Sequence, residues 1–441
     1  MAGVLPAGTF RSLSSRNYRL WAIGALVSNI GTWMQRTAQD WIVLAELTPH
    51  SATAVGTVMA LQFGPALLLL PFTGFAADYF DRRKLLLATQ AAQGLLALTL
   101  GLLTITGVVD LWHVYVFAFL LGCVTAFDAP ARQTFVAELV PDSLLSNAVA
   151  LNSTSFNAAQ LVGPALAGLL IAGVGTGWVF LINGASFAAV LLALATLRVE
   201  DLHRRERAKG GVGGILEGFS YVWERPNLVA VLAMLFLIMT FGINFPVFVS
   251  AMAIKAFHAD SGTFGLLNSM LAIGSVTGAL SAAGRERPRV MVLLAAAALF
   301  GVGLGAAALM PGFWSFGAAL ILVGWSAQTF NTTANGTVQL WTDPVMRGRV
   351  MAIYMGIALG CTPLGAPLVG WVADRFGPRW SLAVGASSGF LAAGVGLVYL
   401  VRYRHLRIHL ERGRLRVTME ARGGRVVPTP PPVPPPGETT P

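Results

Sequence analysis

Val290-Met-Val-Leu-Leu-Ala-Ala-Ala-Ala-Leu-Phe-Gly-Val-Gly-Leu-Gly-Ala-Ala-Ala-Leu-Met310 contains no charged, amide or hydroxyl side chain, and Arg285, Arg287 and Arg289 close it on its N-terminal side. A helix of this length, rising ~1.5 Å per residue, covers about 30 Å, the thickness of a bilayer's hydrocarbon. Working outward in both directions, eleven more stretches of this kind appear. Together the segments are predicted at 19–44, 53–77, 84–106, 111–129, 145–173, 177–197, 228–253, 262–283, 289–310, 313–335, 347–372 and 380–401. Short polar loops join them, too few to cover that much apolar surface in water. The composition agrees: of 441 residues, 55% are apolar and only 11% charged, with a mean hydropathy of +0.67. A soluble domain is excluded, and the chain reads as an all-α integral membrane protein in contact with a lipid bilayer.

The net charge of +10 is explained by where the basic residues fall. Once alternate loops are assigned to opposite sides, all of the thirty Lys and Arg except Arg36, Lys255, Arg375 and Arg379 collect on the side of the N-terminal segment. The positive-inside rule then predicts both termini in the cytoplasm, and the charge reports topology, with no nucleic-acid partner. The first apolar segment is too long for a cleavable leader. Cys123 and Cys361 both fall inside predicted helices without metal-ligand spacing, so neither a disulfide framework nor a cofactor is expected.

The longest polar interruption, 198–227, divides the segments six and six. Leu161-Val-Gly-Pro-Ala-Leu-Ala-Gly168 in the fifth resembles Pro363-Leu-Gly-Ala-Pro-Leu-Val-Gly370 in the eleventh. The expected organisation is a cytoplasmic N-terminal segment (1–18), a six-helix bundle (19–197), a cytoplasmic linker (198–227) and a second six-helix bundle (228–401). A basic, Pro-rich tail (402–441) follows and is expected to be disordered. Two parallel six-helix halves are the plan by which carriers hold a substrate at the interface and rock around it.

Between the second and third segments stands Gly74-Phe-Ala-Ala-Asp-Tyr-Phe-Asp-Arg-Arg-Lys84. It resembles the loop signature of the Major Facilitator Superfamily: Gly74, Asp78, Arg82 and Arg83 match, and Asp81 stands where the family has a second Gly. The resemblance implies the twelve-helix, pseudo-symmetric Major Facilitator fold and a cytoplasmic gate. In that gate Asp78 would face the start of the eleventh helix near Arg349, and Arg82 would reach Asp128. Physically, a carboxylate at a helix end can pair with arginines and favour a neighbouring helix N-terminus. Gly163-Pro164-Ala-Leu-Ala-Gly168 is similar to the Gly-Pro-x-x-Gly-Gly signature of proton-coupled exporters in the superfamily, with Ala167 replacing one Gly. Proline bends a helix and glycines permit close approach, which suits a pivot.

A broader resemblance runs through Arg16-Asn-Tyr-Arg-Leu, Gly31-Thr-Trp-Met-Gln, Asp128-Ala-Pro-Ala-Arg-Gln133 and Asn147-Ala-Val-Ala-Leu-Asn-Ser153. It points to the branch of secretion carriers that includes the enterobactin exporter. It implies export of small hydrophobic, drug-like or siderophore-like molecules, driven by proton entry.

Arg36 and Asp40 lie four apart, on one face of the first helix. Ionisable groups inside a membrane helix are costly and functional by default. One reading makes Asp40 the site of the coupling proton or of a cationic substrate, with Arg36 tuning its proton affinity; the other makes the two an ion pair at the helix's outer end. Among the polar residues inside other segments, Asn29, Asn157 and Asn331 are the expected cavity-lining groups.

No Gly-x-x-x-x-Gly-Lys loop is present for a nucleotide-driven pump. No His-Glu-x-x-His pair or Gly-x-Ser-x-Gly elbow marks a membrane enzyme, and the tail is too short for a sensor's signalling domain. The sequence therefore predicts a secondary transporter for a small-molecule substrate, acting as a monomer, with import or uniport of a metabolite as the alternative. With three lysines, Lys84, Lys209 and Lys255, among thirty basic residues, the chain looks bacterial, hence a plasma-membrane protein.

Overall fold

The computed structural model describes residues 10–69, 72–73, 80–203, 214–283, 290–403, 406–411 and 414–419. The first half contains α1 (Arg16–Trp41), α2 (Ala52–Leu68), α3 (Arg82–Ile105), α4 (Leu111–Phe135), α5 (Asp142–Val174) and α6 (Thr176–Thr196). A short α7 (Gly214–Trp223) lies in the linker. The second half contains α8 (Pro226–Leu237), α9 (Phe245–Ala251), α10 (Ser261–Ala283), α11 (Val290–Leu309), α12 (Phe313–Trp341), α13 (Arg347–Gly360), α14 (Thr362–Phe376) and α15 (Pro378–Tyr403). π-helical turns over Ile42–Glu46, Ile238–Gly242 and Met252–Ala256 extend α1, α8 and α9.

Among the described residues, ten spans are long and apolar enough to cross a membrane by length and composition; α8 with α9, and α13 with α14, each count as one. α1 and α2 fall outside the ten for different reasons. The described part of α2 is apolar but has only 17 residues. α1 has 26, but Arg19, Asn29, Gln35, Arg36, Gln39 and Asp40 make it polar.

Local chemistry sets the helix starts. Ser15 accepts from the Tyr18 amide, Ser51 from the Ala54 amide (3.2 Å) and Asp81 from the Lys84 amide (3.0 Å), each satisfying an N–H that a first turn leaves free. Asp81 thus caps α3 at the position where the resembling signature has glycine. Asp260 does the same for α10, and hydrogen bonds from Thr263 hold its carboxyl below the ordinary carboxylate range. Gly175 (φ 90°) and Gly377 (φ 102°) supply the left-handed turns between α5 and α6 and between α14 and α15.

In the first half α1 packs on α5 and α6, α3 on α4 and α6, and α2 on α4; in the second, α10 and α11 pack on α12, and α15 on α8 and α11. The halves meet where α2 lies along α14 and α5 crosses α10. Both seams depend on missing side chains. A Cβ on Gly168 would come within 2.6 Å of the Ser261 carbonyl oxygen, and one on Gly265 within 2.5 Å of that of Pro164. Inside the second half, a Cβ on Gly365 would overlap the Thr240 carbonyl oxygen, which the π turn turns outward and to which Asn244 donates at 2.8 Å. Gly365→Ala is therefore expected to destabilise the folded protein by about 1–3 kcal/mol through overpacking, read as a lower unfolding temperature in detergent.

In the tail, expected to be disordered, two short strands are described. Leu406–Glu411 and Arg414–Met419 pair antiparallel, with Leu406 opposite Met419, Ile408 opposite Val417 and Leu410 opposite Leu415. Charge dominates this stretch, but it also alternates apolar and polar residues with period two around Arg412-Gly413, which is a hairpin pattern. Residues 404–405, 412–413 and 420–441 of the expected tail lie outside the described residues.

Candidate functional site

The site has three levels along the axis of the bundle. The helix ends that carry Arg16, Arg82 and Arg132 form the basic side; the ends near Glu46, Lys255 and Asp374 form the far side.

On the basic side, Gly74 and Asp78 lie outside the described residues. Arg82 does not reach Asp128: it pairs with Glu138, which follows α4. Asp128 is already saturated, because Arg132, one turn along the same helix, binds it at 2.6 and 3.0 Å, and Thr89 and Gln90 of α3 donate at 2.7 and 2.6 Å. Arg132 also holds the side-chain oxygen of Asn29 at 3.0 Å. Asn29 is thus a buried member of this network, which corrects its expected place in the cavity. Arg83 donates to the carbonyls of Leu194 (2.7 Å) and Ala195 (3.1 Å) at the C-terminal end of α6, where a cation offsets the exposed carbonyls. Arg349 pairs with Glu217 of α7 at 2.6 Å, so the linker helix is tied to the start of α13.

At mid-height, Gly163 packs against Trp33 and Met34 of α1, and Trp33 meets Phe156 edge to face. The Arg36 guanidinium lies 4.9 Å from the Trp33 ring centroid and 5.7 Å from that of Phe63 on α2. Among the described residues Arg36 has no ion pair, and its buried Nε has no hydrogen-bond partner. Asp40, one turn further on, makes neither an ion pair nor a hydrogen bond among them. Arg36 and Asp40 attract each other through space without a direct contact, and the Arg36 guanidinium lies on the two rings. A charge costs roughly 2.5–3.5 kcal/mol on insertion at the centre of a span and less toward its end, and stacking on two rings recovers about 0.5–2 kcal/mol. Asn157 is half-buried and unbonded among the described residues. Asn331 instead accepts the Tyr354 hydroxyl at 2.8 Å, bracing α12 against α13.

Toward the far side, Pro164 and Gly168 form the part of α5 that meets α10, while Gly163 faces α1, and Ser269 Oγ donates to the Leu161 carbonyl at 3.2 Å. Above this seam lies Asp374, a residue the sequence reading did not single out. Its carboxylate accepts from the amides of Ala52 (2.7 Å) and Thr53 (2.9 Å), from the hydroxyls of Thr53 (2.6 Å) and Ser51 (3.1 Å), and from Lys255 Nζ (2.6 Å). It thereby ties the N-terminus of α2, in one half, to α14 and the end of the α8–α9 span, in the other. A signal was present in the sequence: Gly370-Trp-Val-Ala-Asp374-Arg-Phe-Gly377-Pro-Arg379 repeats the spacing of Gly74, Asp78, Asp81 and Arg83. The likeness extends to structure, since Arg379 donates to the Ala308 carbonyl at the end of α11 (2.8 Å), as Arg83 does at the end of α6. Among the described residues, Asp374 and Ser269 carry hydrogen bonds between the halves.

The sequence matches the transmembrane secretion effector family over residues 7–420. It is 28% identical to the multidrug efflux pump Tap of Mycolicibacterium fortuitum, over 87% of this chain and 95% of that protein. It is 27% identical to the staphyloferrin A transporter of Staphylococcus aureus, with the same coverage. With the enterobactin exporter EntS of Escherichia coli it shares 25%, over 83% of this chain and 88% of that protein. Among solved structures, a bacterial homologue of the human lysosomal transporter Spinster, inward-facing and occupied, superposes with a TM-score of 0.69 at 14% identity, covering 87% of this chain and 96% of the other. That likeness is one of fold. With nearly its whole length matched, the chain belongs to the transmembrane secretion effector family of transporters.

Proposed function

We propose that this multi-pass protein of the bacterial inner membrane exports small hydrophobic, drug-like or siderophore-like molecules by alternating access in exchange for protons. The observation that carries the reading is the presence of Arg36 and Asp40 inside α1, with no ion pair or hydrogen bond among the described residues, beneath a far-side seam that Asp374 and Ser269 hold. In this reading the chain crosses the membrane twelve times, as a monomer with both termini in the cytoplasm, so the basic side is cytoplasmic and α1 and α2 are spans. The efflux pump and siderophore transporters it resembles support the substrate range.

Alternating access needs a latch for each state. Asp374 serves the far side, and its sequence counterpart Asp78, with Arg82, Arg83 and Arg349, is proposed for the cytoplasmic one. Gly163, Pro164 and Gly168 are the pivot about which α5 rocks on α10. Asp40 is the group that exchanges its proton as substrate arrives, because it is the interior carboxylate without a fixed partner among the described residues. The test uses proteoliposomes of known orientation under a proton gradient, with internal pH recorded as lipophilic cations and siderophores are added. Substrate-dependent proton flux that disappears in Asp40→Asn is expected. Absence of flux with every compound, from folded protein, would replace antiport by uniport or import.

A further inference from the structure

Every other Lys or Arg among the described residues of the helical bundle occupies a loop, the linker, or the first or last turn of its helix; Arg36 alone stands within a span. It lies about 30 Å along the axis from Arg16 and about 15 Å from Glu46, where the π turn that extends α1 ends. Its guanidinium rests on Trp33 and Phe63, and its fork of donors is free of protein carboxylates among the described residues. One turn away Asp40 likewise makes no ion pair or hydrogen bond among them. The two opposite charges attract through space, as residues four apart on a helix with Cβ atoms about 5–6 Å apart do, but no direct contact fixes either group.

A ligand bearing one charge cannot satisfy this arrangement. Once Asp40 has released its proton, a lone carboxylate on Arg36 would sit beside the Asp40 carboxylate, and a lone ammonium on Asp40 would sit beside the Arg36 cation, with either repulsion strengthened by the low dielectric. A ligand bearing both signs removes both penalties, and its body would lie along the Trp33 and Phe63 rings. We propose that Arg36 and Asp40 form a recognition site for a zwitterionic substrate with a flat apolar or aromatic body, its acidic group on Arg36 and its ammonium on Asp40. This rests on the exporter reading and names the substrate class. Arrival of the ammonium at Asp40 displaces the proton that the exchange requires.

The test is equilibrium dialysis of the full chain in detergent with three probes sharing one body: naphthylalanine (zwitterion), naphthylpropionate (anion) and naphthylethylammonium (cation). Naphthylalanine is expected to bind about tenfold or more tighter than either singly charged probe. Arg36→Gln should lower it to the level of the cation, and Arg36→Lys, which keeps the charge but loses the fork, should fall between. Asp40→Asn should lower naphthylalanine affinity and raise that of naphthylpropionate, a gain that needs no Arg36 variant to fold. Equal binding of cation and zwitterion, an unchanged naphthylalanine affinity in folded Arg36→Gln, or no saturable binding of naphthylalanine overturns the proposal. Proton flux driven by a cation with no preference for the zwitterion overturns this inference and leaves the exporter standing. Zwitterion preference without any proton flux does the reverse.

Discussion

Asp374→Ala is expected to open the far side. The substitution removes the acceptor shared by Ser51, Ala52, Thr53 and Lys255, which lie in both halves. The Asp374 and Lys255 side chains are 26% and 21% exposed, so solvent screens part of the interaction. A loss of about 2 kcal/mol remains reasonable for several charge-assisted bonds, and it shifts the balance between the two states about 30-fold. The measurement is labelling of Ser269→Cys, in a background lacking Cys123 and Cys361, by an impermeant maleimide. Faster labelling in Asp374→Ala, with slower transport, is the expected result, and Asp374→Asn should lie between. Unchanged labelling would mean that the α5–α10 seam alone keeps the far side closed.

Asp128→Ala is expected to damage folding, a different kind of failure. Asp128 is 2% exposed and joins Thr89, Gln90 and Arg132, and through Arg132 also Asn29, so one side chain links α1, α3 and α4. Removing it leaves the Arg132 charge and the Gln90 amide without their acceptor. Breaking a buried pair from one side costs about 3–5 kcal/mol. The expected outcome is a steep fall in the amount of monodisperse protein recovered from membranes. Asp128→Asn, which keeps an acceptor for Thr89 and Gln90, should recover part of it. Normal yield with lost transport would instead assign Asp128 to the gate that the resemblance implies.

The two carboxylates differ in how visible they were in the sequence. Asp128 stood out in Asp-Ala-Pro-Ala-Arg, but the sequence offered Arg82 as its partner. Arg132 binds it because four residues along a helix bring two side chains together whatever the loops do. Arg82 was left for Glu138, which the chain's path after α4 brings beside it. Asp374 looked like an ordinary charge at a helix end, since its partners are more than 100 residues away in sequence.

What the sequence determined alone is the part governed by short-range rules. Apolar runs long enough for a bilayer, hydroxyl and carboxyl caps, and Gly turns depend on neighbours a few residues apart, so all-helical architecture and membrane residence were legible from Val290–Met310 outward. The unusual depth of Arg36 and Asp40 was legible too, because it is a position along a helix. Partner choice was decided by tertiary structure: Asp374 with α2, Arg83 with the α6 carbonyls, Asn29 with Arg132, and Arg36 with the Phe63 ring of α2. Strong polar interactions act over about 3 Å, and only the packing of helices distant in sequence sets which groups come that close.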